Sequence, residues 1–493
     1  GGNAVDGAIA ANAVLGVVAP ETCGVGGDLF ALVHQPGMDA PATLNASGRA
    51  GSGVSSELLR RDGHRSMPSF GPATVTVPGC VDGWFALHAR FGRQALRDVL
   101  SPAIELAEAG FPASKELSRA LTARTSQLSR QEAGAELFVE GEPPGPGTRL
   151  SRHNLANTLR LIANGTREDF YLGGPGEDIV AATENRITAG DLGVSQADWV
   201  QPLSLDIFGL TGWTIPPNSQ GYLTLAAATV YESLSPPADP ESPLAWHLAI
   251  EAYRSLVGDR DELIADPDHA DEPASLLDRR YLSEKAALVD PDRRSAFSSP
   301  SPGLGGTAYL CTIDAEGTGV SFIQSNFMGI GSGIGAGGSG FFLHNRGAGF
   351  NLRSGHRNEL APGKRPLHTL SPTLWTADGR LATLLGTRGG DAQPQYLLQT
   401  AIRTLKAGLD PAATQARPRW HIELGDSSPA IAVEPECPTE TITDLRRRGH
   451  EVVVQEKRQS GWGPVSIIKV DADGLRVAAA DPRVDTASAV ATA

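Results

Sequence analysis

The sequence predicts an α+β fold in which stacked antiparallel sheets are flanked by helices. Residues 1–306 carry mainly helical patterns, whereas residues 307–493 are rich in hairpins. Two of these hairpins are marked by Asp378-Gly379 and Asp473-Gly474, each placed between strand-like runs, and Asp-Gly is a strong signal for a tight antiparallel turn. Helices and hairpins that share one core pack as layers, with the helices covering the faces of the sheets.

Individual elements follow from apolar periodicity and from residues that end it. Residues 114–205 are predicted to be mainly helical with polar loops. The clearer elements, in chain order, are a helix over Asn3–Pro20, a glycine loop feeding a short apolar strand over Cys23–Gly37, helices over Val77–Arg93 and Leu96–Ser114, and an amphipathic helix over Trp246–Leu263.

Composition excludes several classes of function. The chain has 493 residues and a formal net charge of −14, which argues against nucleic acid or an anionic membrane surface as a partner. No run of about eighteen apolar residues predicts a spanning helix. Because the chain opens with Gly1 rather than Met, we expect the native start to be missing. The compartment stays open, with the cytoplasm favoured.

Motif searches predict neither a metal site nor a cofactor. The four cysteines lie far apart without a CxxC pair, which is not the spacing of a zinc ribbon or a disulfide framework. HExxH, P-loop and GxSxG motifs are absent from the sequence. GxGxxG spacing occurs within Gly329–Gly340, but it follows a hairpin and opens no evident helix, so it does not indicate a dinucleotide site.

Thr307 stands between an irregular segment and a hairpin. Ser298–Gly306 is almost entirely Ser, Pro and Gly, which is typical of exposed, irregular chain. Ala308–Asp314 then alternates as a strand, and Val320–Ser325 is predicted to return beside it. An ordinary strand does not require an irregular segment of this kind before it.

The irregular segment before Thr307 has a chemical explanation. A hydroxyl is a poor nucleophile until a base takes its proton, and an α-amine with a pKa of about 7.7–8.0 is a suitable base. If the bond between Gly306 and Thr307 is cut, Thr307 carries nucleophile and base together. Gly305 and Gly306 permit the close approach that self-cleavage needs. Because many strands simply begin with Thr, the stretch alone leaves a structural role open.

Eight motifs follow one another along the chain: "GGNAVDGAIA", "VPGCVDGW", "SPAIELAEAGF", "IPPNSQGYLTL", "GGTAYLCTIDAEG", "GSGIGAGGSGFFLHN", "RPLHTLSPTL" and "GTRGGDAQPQ". In this order they resemble the γ-glutamyltransferases and related acylases over nearly the whole chain. That resemblance implies a self-processing N-terminal-nucleophile (Ntn) hydrolase with a four-layer αββα sandwich, made as a zymogen. Residues 1–306 would then be the large-subunit region, and residues 307–493 the small subunit headed by its nucleophile.

The resemblance assigns roles to four residues. Thr307 matches the catalytic threonine, and Gly389 and Gly390 match the glycine pair whose amides form the oxyanion hole, where close approach is required. Ser325 matches a hydroxyl residue that supports the nucleophile, and its equal parity in the hairpin puts both side chains on one face. A plain turn at the glycines and an ordinary strand hydroxyl at Ser325 are the alternatives.

The residues expected to recognise a γ-glutamyl group differ from those of the family. Gly349 stands where transpeptidases hold the substrate ammonium with an aspartate. Ser47 replaces the arginine that holds the carboxylate, and His368-Thr369 replaces a serine pair. Losing one member of a buried ion pair costs about 3–5 kcal/mol. The chemistry is therefore expected to be retained and the recognition to be altered.

Three functions remain open at this stage. The first is γ-glutamyl transfer or hydrolysis, as in glutathione metabolism, through an acyl-threonine intermediate. The second is an acylase for another amide, such as a glutaryl amide or a biosynthetic intermediate, with Arg49 and Arg346 as candidate binding groups. The third is an unprocessed, non-catalytic relative that acts as a binding protein. For the enzyme, the expected partner is a small amide or peptide, and a homo-oligomer is not excluded.

Overall fold

The computed structural model describes residues 1–271, 273, 276–297, 306–424 and 430–491. The strands are β1 Asp28–His34, β2 Ala42–Ala46, β3 Phe111–Pro112, β4 Arg149–Leu150, β5 Asp198–Val200, β6 Leu203–Ile207, β7 Leu210–Thr214, β8 Gly306–Ile313, β9 Gly319–Phe327, β10 Ile334–Ala336, β11 Phe341–Leu343, β12 Thr373–Ala377, β13 Arg380–Thr387, β14 Trp420–Ile422, β15 Ile431–Val433, β16 Val452–Val454, β17 Val465–Val470 and β18 Arg476–Ala479. The helices are α1 Ala4–Val18, α2 Ser56–Arg61, α3 Cys80–Phe91, α4 Leu96–Ala109, α5 Lys115–Ala123, α6 Thr125–Leu128, α7 Glu132–Ala135, α8 His153–Asn164, α9 Arg167–Tyr171, α10 Gly174–Ala182, α11 Ala189–Leu192, α12 Tyr222–Ser233, α13 Pro243–Val257, α14 Arg260–Leu263, α15 Arg279–Ala287, α16 Gln393–Ala401, α17 Pro411–Ala416 and α18 Thr439–Arg447.

Two antiparallel sheets form the centre of the molecule. The first has five strands in the order β5-β2-β1-β9-β8, and the second has six in the order β18-β17-β13-β12-β7-β6. Each sheet combines strands that precede Thr307 with strands that follow it. Residues 1–306 and 307–493 therefore build one shared fold.

The two sheets pack face to face because side chains alternate along each strand. Phe30 and Leu32 of β1 face the second sheet, where they join clusters with Leu370 and Leu374. The intervening residues of β1 face away and pack with α1, α3, α4 and α8. On the outer face of the second sheet, α12, α13 and α16 form the corresponding core. The layers run helix, sheet, sheet, helix, so the predicted stacked arrangement is confirmed.

The predicted hairpins are present. Strands β8 and β9 pair antiparallel, and β12 and β13 are joined through Asp378 and Gly379, which both have positive φ (47° and 73°). Positive φ at both central residues is the requirement of the tight turn that Asp-Gly favours. Strands β17 and β18 are paired antiparallel on either side of Asp473-Gly474. The irregular stretch before Thr307 lies, at residues 298–305, outside the described residues.

Two helix predictions need correction. Residues 114–205 hold seven helices, α5 to α11, as the mainly helical prediction requires, but β4, β5 and the start of β6 also lie within them. Strands β4 and β5 have two and three residues, too few to show alternation. The helix predicted over Trp246–Leu263 is two helices, α13 and α14, that break around Gly258. In the part of the chain that the structure describes, the helices lack the length and hydropathy that a bilayer crossing requires.

Candidate active site

Thr307 lies at the start of β8, where the pairing with β9 shifts register between Gly306 and Ala308. Its side chain is buried, with 2% of the residue exposed. The Thr307 hydroxyl donates to Ser325 Oγ at 3.2 Å. The structure therefore brings together the two hydroxyls that are eighteen positions apart in sequence.

Ser325 links Thr307 to the peptide bond that precedes it. Its oxygen also accepts the Phe327 N–H at 2.8 Å, so its own proton is directed elsewhere. That proton is donated to the carbonyl oxygen of Gly306 in a short hydrogen bond. One serine thus orients the Thr307 hydroxyl and polarises the adjacent carbonyl.

Gly389 and Gly390 follow β13 in a turn that only glycine fits well. Their φ values are 128° and 55°, and a φ of 128° is rarely adopted by a residue with a side chain. A Cβ on Gly389 would lie 2.9 Å from the ring of Tyr396. Both backbone strain and lack of space therefore demand glycine at position 389.

Strand β13 stacks on the β8–β9 hairpin with its glycine end toward Thr307. Near the hairpin turn, Leu381 fills the space that a Cβ on Gly319 would need. Farther along, the ring of Tyr309 covers Gly386 in the same way. Continuing in this direction, the turn after β13 lies at the end of β8 that carries Thr307.

Arg346 is buried beside Phe327, at the end of β9 that pairs with Gly306. It is 1% exposed, and its guanidinium carbon lies 3.4 Å from the centre of the Phe327 ring. It donates to the Leu367 carbonyl at 3.3 Å and to Thr369 Oγ1 at 3.4 Å, while its Nε has no partner. Burial lowers the pKa of Arg346 to about 9. Phe327 itself has a φ of 71°, a strained value for a bulky residue.

Thr369 and His368 connect this arginine to both sheets. Gln220 donates one amide to the carbonyls of Thr369 and Gly390, at 3.1 Å each. His368 Nε2 donates to Asp28 at 3.0 Å, and Asp28 pairs with Ser325 across β1 and β9. Burial lowers the pKa of His368 to about 3, so its ring is neutral and holds its proton toward Asp28.

Asp28, Gln220 and Phe327 escaped the sequence reasoning. Asp28 follows two glycines and begins the buried strand β1. An acidic residue at the start of an apolar strand was the sequence signal that could have identified it. Gln220 and Phe327 carry no such mark, because their importance arises only from contacts between distant segments.

The other positions that the sequence singled out for substrate recognition, Ser47, Gly349 and Arg49, contact other parts of the protein. Ser47 donates to Asn45 Oδ1 at 2.7 Å, and a Cβ on Gly349 would lie 2.5 Å from the Leu367 carbonyl. Arg49 forms ion pairs with Asp198 at 2.9 Å and Asp268 at 3.4 Å. The structure thus brings Arg346, His368 and Thr369 into one cluster and holds Arg49 in a separate ion-pair group. Among the described residues, no three His, Cys, Asp or Glu side chains are grouped as metal ligands.

Comparisons with known proteins extend the motif resemblance to the whole chain. The sequence model for gamma-glutamyltranspeptidase matches residues 1–491. A glutathione hydrolase-like YwrD proenzyme of Bacillus subtilis is 37% identical, covering 99% of this chain and 94% of its own. An oxamate amidohydrolase proenzyme of Klebsiella pneumoniae is 34% identical with the same coverage. The crystal structure of a cephalosporin acylase from Bacillus halodurans superposes with a TM-score of 0.91 and 32% identity, covering 100% of this chain and 92% of that one.

Proposed function

Because this chain belongs to the gamma-glutamyltranspeptidase family of self-processing Ntn hydrolases and acyltransferases, we propose that Thr307 is its nucleophile. Cleavage after Gly306 then separates the large-subunit region, residues 1–306, from the small-subunit region, residues 307–493. The observation that carries the proposal is the chain of hydrogen bonds from the Thr307 hydroxyl through Ser325 to the Gly306 carbonyl.

Maturation uses this arrangement directly. Thr307 Oγ1 bonds to the carbonyl carbon of Gly306, and Ser325 stabilises the negative charge that develops on the carbonyl oxygen. The bond from that carbon to the Thr307 nitrogen breaks, and the nitrogen takes the hydroxyl proton. Water then hydrolyses the resulting ester, which regenerates the hydroxyl beside a free α-amine.

Turnover repeats the same chemistry on a substrate amide. The α-amine of Thr307 accepts the hydroxyl proton as Oγ1 attacks the substrate carbonyl. The backbone N–H groups of Gly389 and Gly390 serve as the oxyanion donors. The leaving amine takes the proton, and an acyl ester stays on Thr307. Water completes hydrolysis, whereas a second amine completes transfer.

We favour a small acyl amide other than γ-glutamyl as the substrate. The peptide at Gly349 packs against the Leu367 carbonyl and carries no acid for an α-ammonium group. The relative named for oxamate hydrolysis and the solved structure named as a cephalosporin acylase support such a change. Hydrolysis or transfer of γ-glutamyl groups is the second candidate, because a glutathione hydrolase-like protein is among the relatives.

Denaturing gel electrophoresis of the purified protein tests the proposal. We expect two bands, and N-terminal sequencing of the smaller one should begin Thr-Ala-Tyr. Thr307→Ala should give a single band without activity. Thr312→Ala is the matched control, because Thr312 lies on the same strand as Thr307 but donates its hydroxyl to the Ala4 carbonyl of α1. A single band for the unmutated chain after long incubation would favour the non-catalytic binding protein.

A further inference from the structure

The guanidinium of Arg346 is an unbalanced positive charge close to Thr307. In the described part of the chain, no carboxylate oxygen lies within ion-pair distance of it, and its Nε has no hydrogen-bond partner. Two other buried arginines are neutralised by acids: Arg419 pairs with Asp481 at 2.7 Å and Arg260 pairs with Asp391 at 2.6 Å. Among the described residues, Arg152 also lacks an ion pair and a partner for Nε, but it donates three hydrogen bonds to backbone carbonyls at 2.8 to 3.1 Å, shorter than those of Arg346. A buried charge without a partner is expensive. A binding role would explain why this one is kept.

The surroundings orient Arg346 without neutralising it. Phe327 lies under its flat face, and two neutral oxygens accept its protons at the long distances of 3.3 and 3.4 Å. Asp28 and Asp391 favour its charge from farther away. Arginine in this state is suited to bind a carboxylate through paired hydrogen bonds.

Arg346 is also placed at the acyl side of the reaction centre. Phe327 lies two residues beyond Ser325, the partner of Thr307. Thr369, the other contact of Arg346, is tied through Gln220 to Gly390. The guanidinium is therefore bracketed by the segment that supports the nucleophile and by the segment proposed to bind the oxyanion.

Among the described residues, the two acids whose charge acts on Arg346, Asp28 and Asp391, are each already paired. Asp28 accepts hydrogen bonds from His368 and from the Gly48 N–H at 2.9 Å. Asp391 is ion-paired with Arg260. A substrate ammonium placed here would meet the like charge of Arg346 without an acid at position 349. The local electrostatics favour an acyl group that carries negative charge alone.

We infer that Arg346 binds the free carboxylate of a short dicarboxylic acyl group. The substrate class is then the monoamides of dicarboxylic acids that carry no α-ammonium group, and hydrolysis yields the dicarboxylate and an amine. The inference rests on the proposed function, because it requires Thr307 to attack the amide carbonyl. Arg346 takes no part in bond making and sets which acyl group is held.

A set of p-nitroanilides tests this substrate class. Succinyl and glutaryl anilides carry the carboxylate, butyryl anilide is the neutral match for succinyl, and γ-glutamyl anilide adds the ammonium. For the unmutated protein we expect kcat/KM for the better dicarboxylic substrate to exceed that for butyryl by about 100-fold or more. Arg346→Gln should remove this preference by lowering kcat/KM for the dicarboxylic anilides far more than for butyryl, mainly through KM. Arg346→Lys should restore part of it, because the charge is kept.

Denaturing gels of the same samples separate the ways to fail. The inference is overturned, while the proposed function stands, if self-cleaved protein has the same kcat/KM for butyryl anilide as for the succinyl and glutaryl anilides. A higher kcat/KM for γ-glutamyl anilide than for the other anilides has the same consequence. An equal loss on all anilides in cleaved Arg346→Gln also overturns it. Unmutated protein that is uncleaved overturns the proposed function and the inference together. If Arg346→Gln alone fails to cleave, the preference of the unmutated protein and of Arg346→Lys decides.

Discussion

The two sides of Thr307 are built in opposite ways. On the reaction side, Thr307 and Ser325 face each other across one hairpin, and Gly389-Gly390 is one turn; these groups are neutral and hydrogen-bonded. On the acyl side, Arg346 is charged and incompletely bonded, and its neighbours come from distant segments. Local backbone geometry fixes the first, whereas long-range packing fixes the second. Bond-breaking chemistry can therefore persist while substrate recognition changes.

The largest expected effect would break the reaction side at Gly389. Gly389→Ala should lower kcat about 100- to 1000-fold, the usual cost of losing an oxyanion donor, because its Cβ would meet Tyr396 at a φ of 128°. Gly474→Ala is the matched control, since Gly474 has a φ of 82° with open space around it. Steady-state kinetics on processed protein measure both. Unchanged kcat in Gly389→Ala would mean that the turn is only structural.

Ser325 tests whether one serine serves maturation as well as catalysis. Ser325→Ala should slow self-cleavage about 100-fold, because it removes the donor to the Gly306 carbonyl and the partner of Thr307. Densitometry of denaturing gels over time gives the rate. Ser321→Ala, on the same strand and bonded to Tyr309, should cleave at the normal rate. Equal rates in Ser325→Ala and the unmutated chain would contradict the maturation step.

Glu21 tests how strictly the reaction side is kept neutral. Its backbone carbonyl lies 3.0 Å from the position of a Cβ on Gly306, and its carboxyl is buried with one oxygen unpartnered. Burial raises the pKa of Glu21 to about 7 from 4.5. A raised folded-state pKa means that stability falls as pH rises from about 4.5 to 7, because only the unfolded state ionises easily there.

Glu21→Gln should remove that pH dependence. The difference in unfolding free energy between the variant and its parent should shift in favour of the variant, by on the order of 3 kcal/mol, when the pH is raised from 4 to 8. Thermal unfolding is followed in a Thr307→Ala background so that every sample is one chain. The same difference between variant and parent at both pH values would show that Glu21 ionises freely in the fold.

The smallest effect is expected on the acyl side at Gly349. Gly349→Asp restores an acid where transpeptidases have one, yet its Cβ would press against the Leu367 carbonyl at 2.5 Å. We expect a lower melting temperature and less than about threefold change in γ-glutamyl anilide turnover, because Arg346 still repels the ammonium. Gly145→Asp, where a Cβ would meet no atom closer than Thr148 Oγ1 at 3.9 Å, controls for the added charge. A large gain in γ-glutamyl turnover would mean that recognition depends on this residue alone.

Sequence reasoning succeeded where structure is local. The β8–β9 hairpin, the Asp378-Gly379 turn and the shared face of Thr307 and Ser325 follow from alternation and turn chemistry. It could not decide whether Arg49 or Arg346 contacts the substrate. Both lie close in sequence to positions where family members carry substrate-binding residues that this chain lacks. The choice depends on Asp198, which pairs with Arg49, and on Phe327, which supports Arg346; neither contact leaves a pattern in the chain.

The most direct test of the account is the intact mass of the small subunit during turnover of a succinyl anilide. Rapid mixing and acid quench should yield a chain beginning at Thr307 that carries one succinyl group, placed on Thr307 by peptide mapping and lost as substrate is exhausted. Active protein whose bond between Gly306 and Thr307 is intact, or an acyl group on a peptide without Thr307, would contradict it.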